Sequence, residues 1–174
     1  AKEGMSYGYS SLAKGYVDGE PYVVRCAFTK PKYESIWKKA WENNDNETIG
    51  KLLGFPTCCR NWFVKYWQNE KYIDDILPMY MNSNYSSEGP WQLNFYYRYL
   101  GIRLVSHMPC SFRCEDSLEI ANKNHDIMLQ LGYVQEYEWI KQILNWPVRW
   151  SSLHGIAEIR TPIFKLSHKT DYLE

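Results

Sequence analysis

Four of the five cysteines in this chain stand in two short motifs that are typical of a thiolate site. The first motif, Gly-Phe-Pro-Thr-Cys-Cys, ends with Cys58 and Cys59. The second, His-Met-Pro-Cys-Ser-Phe-Arg-Cys, runs from His107 through Cys110 to Cys114. Thiolates and imidazoles are the ligands that zinc and iron–sulfur clusters prefer. The two motifs therefore predict a metal site, an iron–sulfur cluster or a reactive thiol centre.

Both motifs fall at the start of a predicted helix. Pro56 opens the helix that carries Cys58 and Cys59, and Ser111 is the expected N-cap of the helix that carries Cys114. The first backbone N–H groups of a helix are unpaired and carry partial positive charge. Because both properties favour a thiolate over a thiol, these positions suit thiolate ligands or nucleophiles.

The adjacent cysteines Cys58 and Cys59 favour an iron–sulfur cluster over a single zinc ion. Neighbouring residues on a helix point about 100° apart, because one turn takes about 3.6 residues. Bringing both sulfurs to one small ion would strain the backbone, whereas binding two different irons of one cluster is easier. If only one of the pair is a ligand, then Cys110, Cys114 and His107 complete a zinc site of three cysteines and one histidine.

Four functional interpretations follow from these cysteines. The leading one is a metalloprotein whose iron–sulfur cluster serves a small-molecule redox or lyase reaction. The second is a binding module with structural zinc. The third is a metal-free thiol enzyme, in which Cys110 pairs with His107 or His154 as nucleophile and base. The fourth is a structural, aromatic-rich domain whose cysteines are small buried residues, as Cys26 is expected to be in each interpretation.

A second unusual stretch begins at Trp150 and carries polar side chains on a predicted strand. If the chain stays extended, His154, Glu158 and Arg160 lie on one face, because alternate side chains point the same way. A base, an acid and a fixed cation can anchor a carboxylate or phosphate and move a proton. We therefore predict that these three residues line a catalytic pocket beside the thiolate site. A structural ion pair between Glu158 and Arg160 is the alternative.

Three motifs together resemble an uncharacterised prokaryotic family, mainly archaeal, that is classed as a domain of unknown function. They are the two cysteine motifs and the sequence Trp-Ser-x-x-His-Gly-x-x-Glu-x-x-Thr-Pro, which begins at Trp150. The resemblance spans Leu52 to Lys165. It implies that the three motifs belong to one site, and it implies no activity.

Composition narrows the class of protein. The chain has 174 residues, with 20 basic and 20 acidic side chains, so its total charge shows no bias towards nucleic acids or anionic membranes. It contains no run of eighteen apolar residues and no hydrophobic signal segment, so we expect no membrane-spanning helix. Because the cysteine count is odd and unlike a disulfide framework, we expect a reducing cytoplasmic location. A small molecule is then the expected partner.

Apolar periodicity predicts one α+β domain over residues 1–174, dominated by helices. Residues 1–20 are rich in Gly, Ser and Tyr and are expected to form an irregular arm. Helical spacing extends from Pro31 to Asn145, with breaks at glycine and proline. The pattern then changes to that of two short strands, which we expect to form a small C-terminal sheet together with a strand over residues 22–28.

Overall fold

A computed structural model describes most of the chain, namely residues 2–4, 17–19, 22–24, 26–70, 76–151 and 156–160. Where the sequence predicts one domain, the structure groups the chain into two compact units, residues 1–53 and 54–174. Each unit is described by itself. Helices dominate both, with short antiparallel strands, so the predicted α+β class is confirmed.

In the first unit, β2 (Tyr22–Val24) pairs antiparallel with β1 (Lys2–Gly4). Three residues of the predicted irregular arm therefore form a strand, and the predicted recruitment of β2 into the C-terminal sheet is wrong. β2 is also shorter than predicted. Because it ends at Val24, Cys26 lies beyond it and is exposed, contrary to the expectation that this thiol is buried.

Two helices follow in the first unit. Helix α1 (Glu34–Glu42) comes directly after a 3-10 turn that begins at Pro31. Helix α2 (Asn46–Leu52) is capped by Asp45, whose carboxylate accepts hydrogen bonds from the N–H and the hydroxyl of Thr48 at 3.0 and 2.6 Å. These bonds lower the pKa of Asp45 and satisfy an N–H group that the helix itself leaves unpaired.

The described residues of the second unit form four α-helices. They are α3 (Thr57–Phe63), α4 (Ile76–Asn82), α5 (Glu115–Gln130) and α6 (Val134–Leu144). Helix α3 continues directly into a π-helical segment, Val64–Asn69. Within the part of the chain that the structure describes, no helix is long and apolar enough to cross a membrane.

The apolar spacing of residues 91–100 predicts one helix, but Asn94 divides it into two 3-10 segments, Trp91–Leu93 and Phe95–Leu100. Its side-chain oxygen accepts a hydrogen bond from the Tyr96 N–H, and its amide donates to the Leu144 carbonyl at 2.7 Å. An asparagine that bonds to nearby backbone competes with a regular helix. The same side chain therefore ends one helical segment, starts the next and ties both to the end of α6.

The small C-terminal sheet is present as predicted. Strand β3 (Val148–Ser151) pairs antiparallel with β4 (Ile156–Ile159). The Trp150 ring lies 6.3 Å from the rings of both Tyr80 and Tyr96, measured between centroids. The sheet thus packs on an aromatic core.

That core also contains the thiols. Met79 and Tyr97 are completely buried in it. The buried cysteines belong to the same apolar cluster, namely Cys59, Cys110 and Cys114. Because interiors pack as densely as organic crystals, the core leaves these three side chains little freedom to move.

Tyr97 makes the stability of this core depend on pH in the alkaline range. Its hydroxyl donates a hydrogen bond to the Trp146 carbonyl at 2.9 Å. Burial raises the pKa of Tyr97 from 10.0 to about 12. The folded protein therefore keeps a proton that the unfolded chain loses between these two values, and the stability that this proton supplies is lost as the pH rises through the folded pKa.

We predict that Tyr97→Phe lowers the free energy of unfolding by about 0.5–1.5 kcal/mol at neutral pH, because the Trp146 carbonyl loses its donor. The difference between the two proteins should shrink as the pH rises through about 10 to about 12, since only the wild type has this phenol to ionise. Urea denaturation at several pH values measures this difference. If the difference in unfolding free energy between the two proteins stays constant with pH, the raised pKa of Tyr97 is contradicted.

Candidate metal centre

The two cysteine motifs meet inside the second unit. The Sγ atoms of Cys58, Cys59, Cys110 and Cys114 all lie within 4.8 Å of one another, and none of the four is in a disulfide. The sulfur of Cys58 is 3.8 Å from that of Cys59 and 3.6 Å from that of Cys114. The sulfurs of Cys59 and Cys114 are also 3.6 Å apart. Four thiols at these distances could hold a metal ion.

Helix α3 presents the first cysteine pair. Gly54, at φ 75°, and Pro56 turn the chain into this helix, whose second and third residues are Cys58 and Cys59. A guanidinium N–H of Arg60 donates to the backbone carbonyl that precedes Pro56 and so holds this entry turn. The helix begins where the proline pattern predicts, with Cys59 buried and Cys58 exposed.

The sulfurs of Cys58 and Cys59 lie 3.8 Å apart, although the two residues are neighbours on a helix. The helix does turn about 100° between Cys58 and Cys59. However, the sulfur of each lies 3.6 Å from that of Cys114. The helical angle between neighbouring positions therefore does not keep one ion from contacting both sulfurs.

The second motif is an irregular loop that ends at the start of α5. Cys114 itself is the N-cap residue of this helix, whereas the sequence predicts Ser111 as the cap and Cys114 inside the helix. The Cys114 N–H donates to the Ser111 carbonyl, and the Cys114 carbonyl accepts the N–H of Leu118 at 2.9 Å. Cys114 still lies at the positive end of the helix dipole, which was the reason to expect a thiolate there.

Helix α4 holds the backbone of this loop. The Asn82 amide donates to the Cys110 carbonyl at 2.8 Å. The buried Ser83 hydroxyl accepts the Phe112 N–H at 2.9 Å and donates to the Met79 carbonyl at 2.7 Å. These bonds fix the loop at Cys110 and at Phe112, two residues later.

The pKa values of the four thiols are shifted in different directions. Bonds from the thiols of Cys110 and Cys59 lower the pKa of Cys114, and the corresponding bonds raise the pKa of Cys110. Partial burial, followed by the neighbouring charge of Cys59, raises the pKa of Cys58 to about 12. Hydrogen bonding therefore favours ionisation of Cys114 over that of the other three cysteines. A bound divalent cation favours ionisation of all four.

The solvent side of the cluster is acidic. The Cys58 thiol donates to a carboxylate oxygen of Asp116 at 3.3 Å, and both residues are exposed. Cys59, by contrast, accepts the backbone N–H of Cys110 at 3.3 Å, and its sulfur lies 3.2 Å from the Ser117 hydroxyl. The site thus has one exposed edge and a buried side that offers hydrogen-bond donors.

His107 lies beside the cluster and outside the group of four ligand atoms. Its Nε2 is 2.8 Å from the Ser117 hydroxyl, and its ring centroid is 5.1 Å from that of Phe55. Its Nδ1 has no hydrogen-bond partner among the residues that the structure describes. Burial lowers the pKa of His107. Ser117, which sequence reasoning missed, follows Cys114 by three residues, a spacing that places two helical residues on one face.

The predicted catalytic pocket is not assembled by the residues described. His154 lies outside them. Glu158 stands opposite Arg149 in the β3–β4 pair, and Arg160 is exposed just after β4, where its N–H donates to the Pro147 carbonyl. Neither Glu158 nor Arg160 belongs to the group of ligand atoms at the four thiols. A shared site for all three motifs stays a prediction.

A cavity of about 240 Å³ opens beside the second motif. The aromatic side chains in its wall are Trp91, Tyr96, Phe112 and Trp146. Neither Glu158 nor Arg160 is among the described residues that line it, and none of those lining residues is charged. The described lining of the cavity therefore lacks the charged groups of the pocket that the sequence predicts.

Comparison of the chain with protein-family models, with curated proteins and with solved structures found no match. The resemblance to a prokaryotic family accordingly stays a prediction. The function is inferred below from the geometry of the four thiols and their neighbours.

We predict that Ser83→Ala lowers the free energy of unfolding by about 1–3 kcal/mol, because it leaves the buried Phe112 N–H without its acceptor. Ser87→Ala, four residues further along and exposed, should change it by less than about 0.5 kcal/mol. Chemical denaturation measures both variants. Equal effects of the two substitutions would show that Ser83 does not hold the loop.

Proposed function

We propose that the protein binds one metal ion in a tetrahedral site of four thiolates, and that zinc is this ion. The sulfur–sulfur distances carry the proposal. In a tetrahedron with metal–sulfur bonds of about 2.3 Å, neighbouring sulfurs are about 3.8 Å apart. The three measured distances among Cys58, Cys59 and Cys114 are 3.6, 3.6 and 3.8 Å.

The same distances favour a single ion over the iron–sulfur cluster that the sequence favours. In a cluster, bridging sulfides and additional irons separate thiolates that bind different irons, so these thiolates lie farther apart than they do around one ion. All four sulfurs here lie within 4.8 Å of one another. A single iron ion would fit the same four-sulfur geometry. Zinc is preferred because a closed site of four cysteines is a form that structural zinc takes.

A structural role follows from the ligand count. Four protein ligands complete the coordination of zinc and leave no position for a substrate. Cys59 and Cys110 are 51 residues apart in sequence, so the ion would cross-link helix α3 to the loop before α5. When bound, the ion supplies the positive charge that lets four neighbouring thiolates coexist.

Other groups of the chain support this site. The N-terminus of α5 favours the first thiolate, at Cys114. The N–H of Cys110 donates to the sulfur of Cys59. The side chains of Asn82 and Ser83, at the end of α4, hold the loop before α5. The proposed function is therefore a zinc-stabilised binding module whose metal contributes to folding.

Metal analysis and an absorption spectrum of protein purified without oxygen test this proposal. We expect about one zinc per chain and no visible colour. Iron with sulfide and a visible absorption band would replace the proposal with an iron–sulfur cluster. Iron without sulfide would mean a single iron ion. Protein without any metal would overturn the metal proposal and favour a thiol enzyme or a structural domain.

Substitution of one ligand provides a second test. Cys114→Ser should reduce the zinc content from about one per chain to near zero and lower the Tm by at least about 10 °C, because the ion contributes to folding. The matched control is Cys26→Ser, since Cys26 is exposed and lies outside the thiol cluster. A chelator should lower the Tm of the control and leave that of Cys114→Ser unchanged. Identical metal content in the two variants would contradict the ligand assignment.

A further inference from the structure

Ser117 links a buried histidine to one of the proposed ligands. Its hydroxyl oxygen lies 2.8 Å from Nε2 of His107 and 3.2 Å from the sulfur of Cys59. The exposed fractions of Ser117, His107 and Cys59 are 0, 5 and 3 %. The three side chains thus form a buried chain of hydrogen bonds behind the thiol cluster.

Metal binding would determine the direction of these hydrogen bonds. A thiolate bound to a metal has no proton and can only accept. The hydroxyl of Ser117 must then donate its one proton to the sulfur of Cys59. Towards His107 the serine oxygen can only accept, so Nε2 of His107 must carry the hydrogen.

The opposite direction is available only while Cys59 is a thiol. The thiol can then donate to Ser117, and Ser117 can donate to Nε2 of His107. A neutral imidazole has one N–H, so in this arrangement the hydrogen lies on Nδ1. Nδ1 has no acceptor among the described residues, so a hydrogen there would be a buried donor without a partner, which is unfavourable.

We propose that Ser117 and His107 are positioning residues of the metal centre, and that metal binding at Cys59 fixes His107 as the Nε2–H tautomer. This inference rests on the proposed function, and it assigns roles to two residues that are not ligands. Four thiolates and one divalent cation carry a net charge of −2 on the site. Donors aimed at a ligand sulfur offset part of this charge and orient the ligand. Cys59 receives two of them, from Ser117 and from the Cys110 N–H.

Nitrogen NMR of the zinc-loaded protein measures the tautomer. Histidine is labelled with ¹⁵N, and the ring signals of His107 are assigned by their loss in His107→Gln. We expect hydrogen on Nε2 and a bare Nδ1. Hydrogen on Nδ1, a doubly protonated ring, or a nitrogen bound directly to zinc would overturn the inference. Metal analysis of the same sample separates these results from failure of the proposed function, in which the wild type holds no zinc.

Two substitutions at Ser117 test its positioning role. Ser117→Ala removes the donor and should weaken zinc binding about 10–100-fold in competition with a chromophoric chelator at fixed pH. Ser117→Thr keeps a hydroxyl and should recover most of this affinity. Equal affinities for the two variants would contradict the role of the hydroxyl.

A spectroscopic readout separates positioning from packing. With cobalt(II) as the probe, Ser117→Ala should shift the sulfur-to-metal charge-transfer band, because the Cys59 sulfur loses a hydrogen bond, whereas Ser87→Ala should not. Unshifted bands in both variants would contradict the inference. If Ser117→Ala does not fold, the tautomer of His107 in the wild type decides the question by itself.

Discussion

The mutual approach of four sulfur atoms is the constraint on which the second unit depends. Three of the four thiols are buried in an aromatic core. A thiolate there is unfavourable unless hydrogen-bond donors or a cation stabilise its charge. Hydrogen bonds from neighbouring thiols lower the pKa of Cys114 alone. A divalent ion would relieve the constraint for all four, and in doing so would join two segments that lie far apart in sequence.

The structure around the sulfurs forms two layers of support. The inner layer holds the backbone of the loop: the side chains of Asn82, which ends α4, and of Ser83, the next residue, bond to the loop, and the Cys110 N–H is directed at Cys59. The outer layer is the buried pair of Ser117 and His107. Outer partners of this kind orient metal ligands and are as much a part of a site as the ligands themselves. The exposed side has no such support, because Cys58 faces solvent and the Asp116 carboxylate.

The sequence predicts the composition of the site better than its geometry. The two motifs, their place at helix starts and the convergence of their thiols follow from residue types and local signals. The short distance between the sulfurs of Cys58 and Cys59 does not, because helical spacing fixes Cα positions and not sulfur positions. Ser117 was missed because serine is common on helices, and only the packed structure shows its contact with Cys59.

Errors in the predicted fold arise from tertiary contacts in the same way. Asn94 ends a predicted helix through bonds to Tyr96 and to the distant end of α6. The cap of α5 is Cys114, three residues after Ser111, which capping preference selects. The loop that contains both residues is bonded to the side chains of Asn82 and Ser83. The α+β class and the C-terminal strand pair were predictable because both rest on local periodicity.

X-ray absorption at the metal edge, on protein purified without oxygen, tests the central claim most directly. The account predicts a zinc edge whose first shell is four sulfurs at about 2.3 Å. It also predicts no second metal at short distance. An iron edge with a short iron–iron distance, or a shell in which nitrogen replaces sulfur, would contradict the four-thiolate site of a single zinc ion.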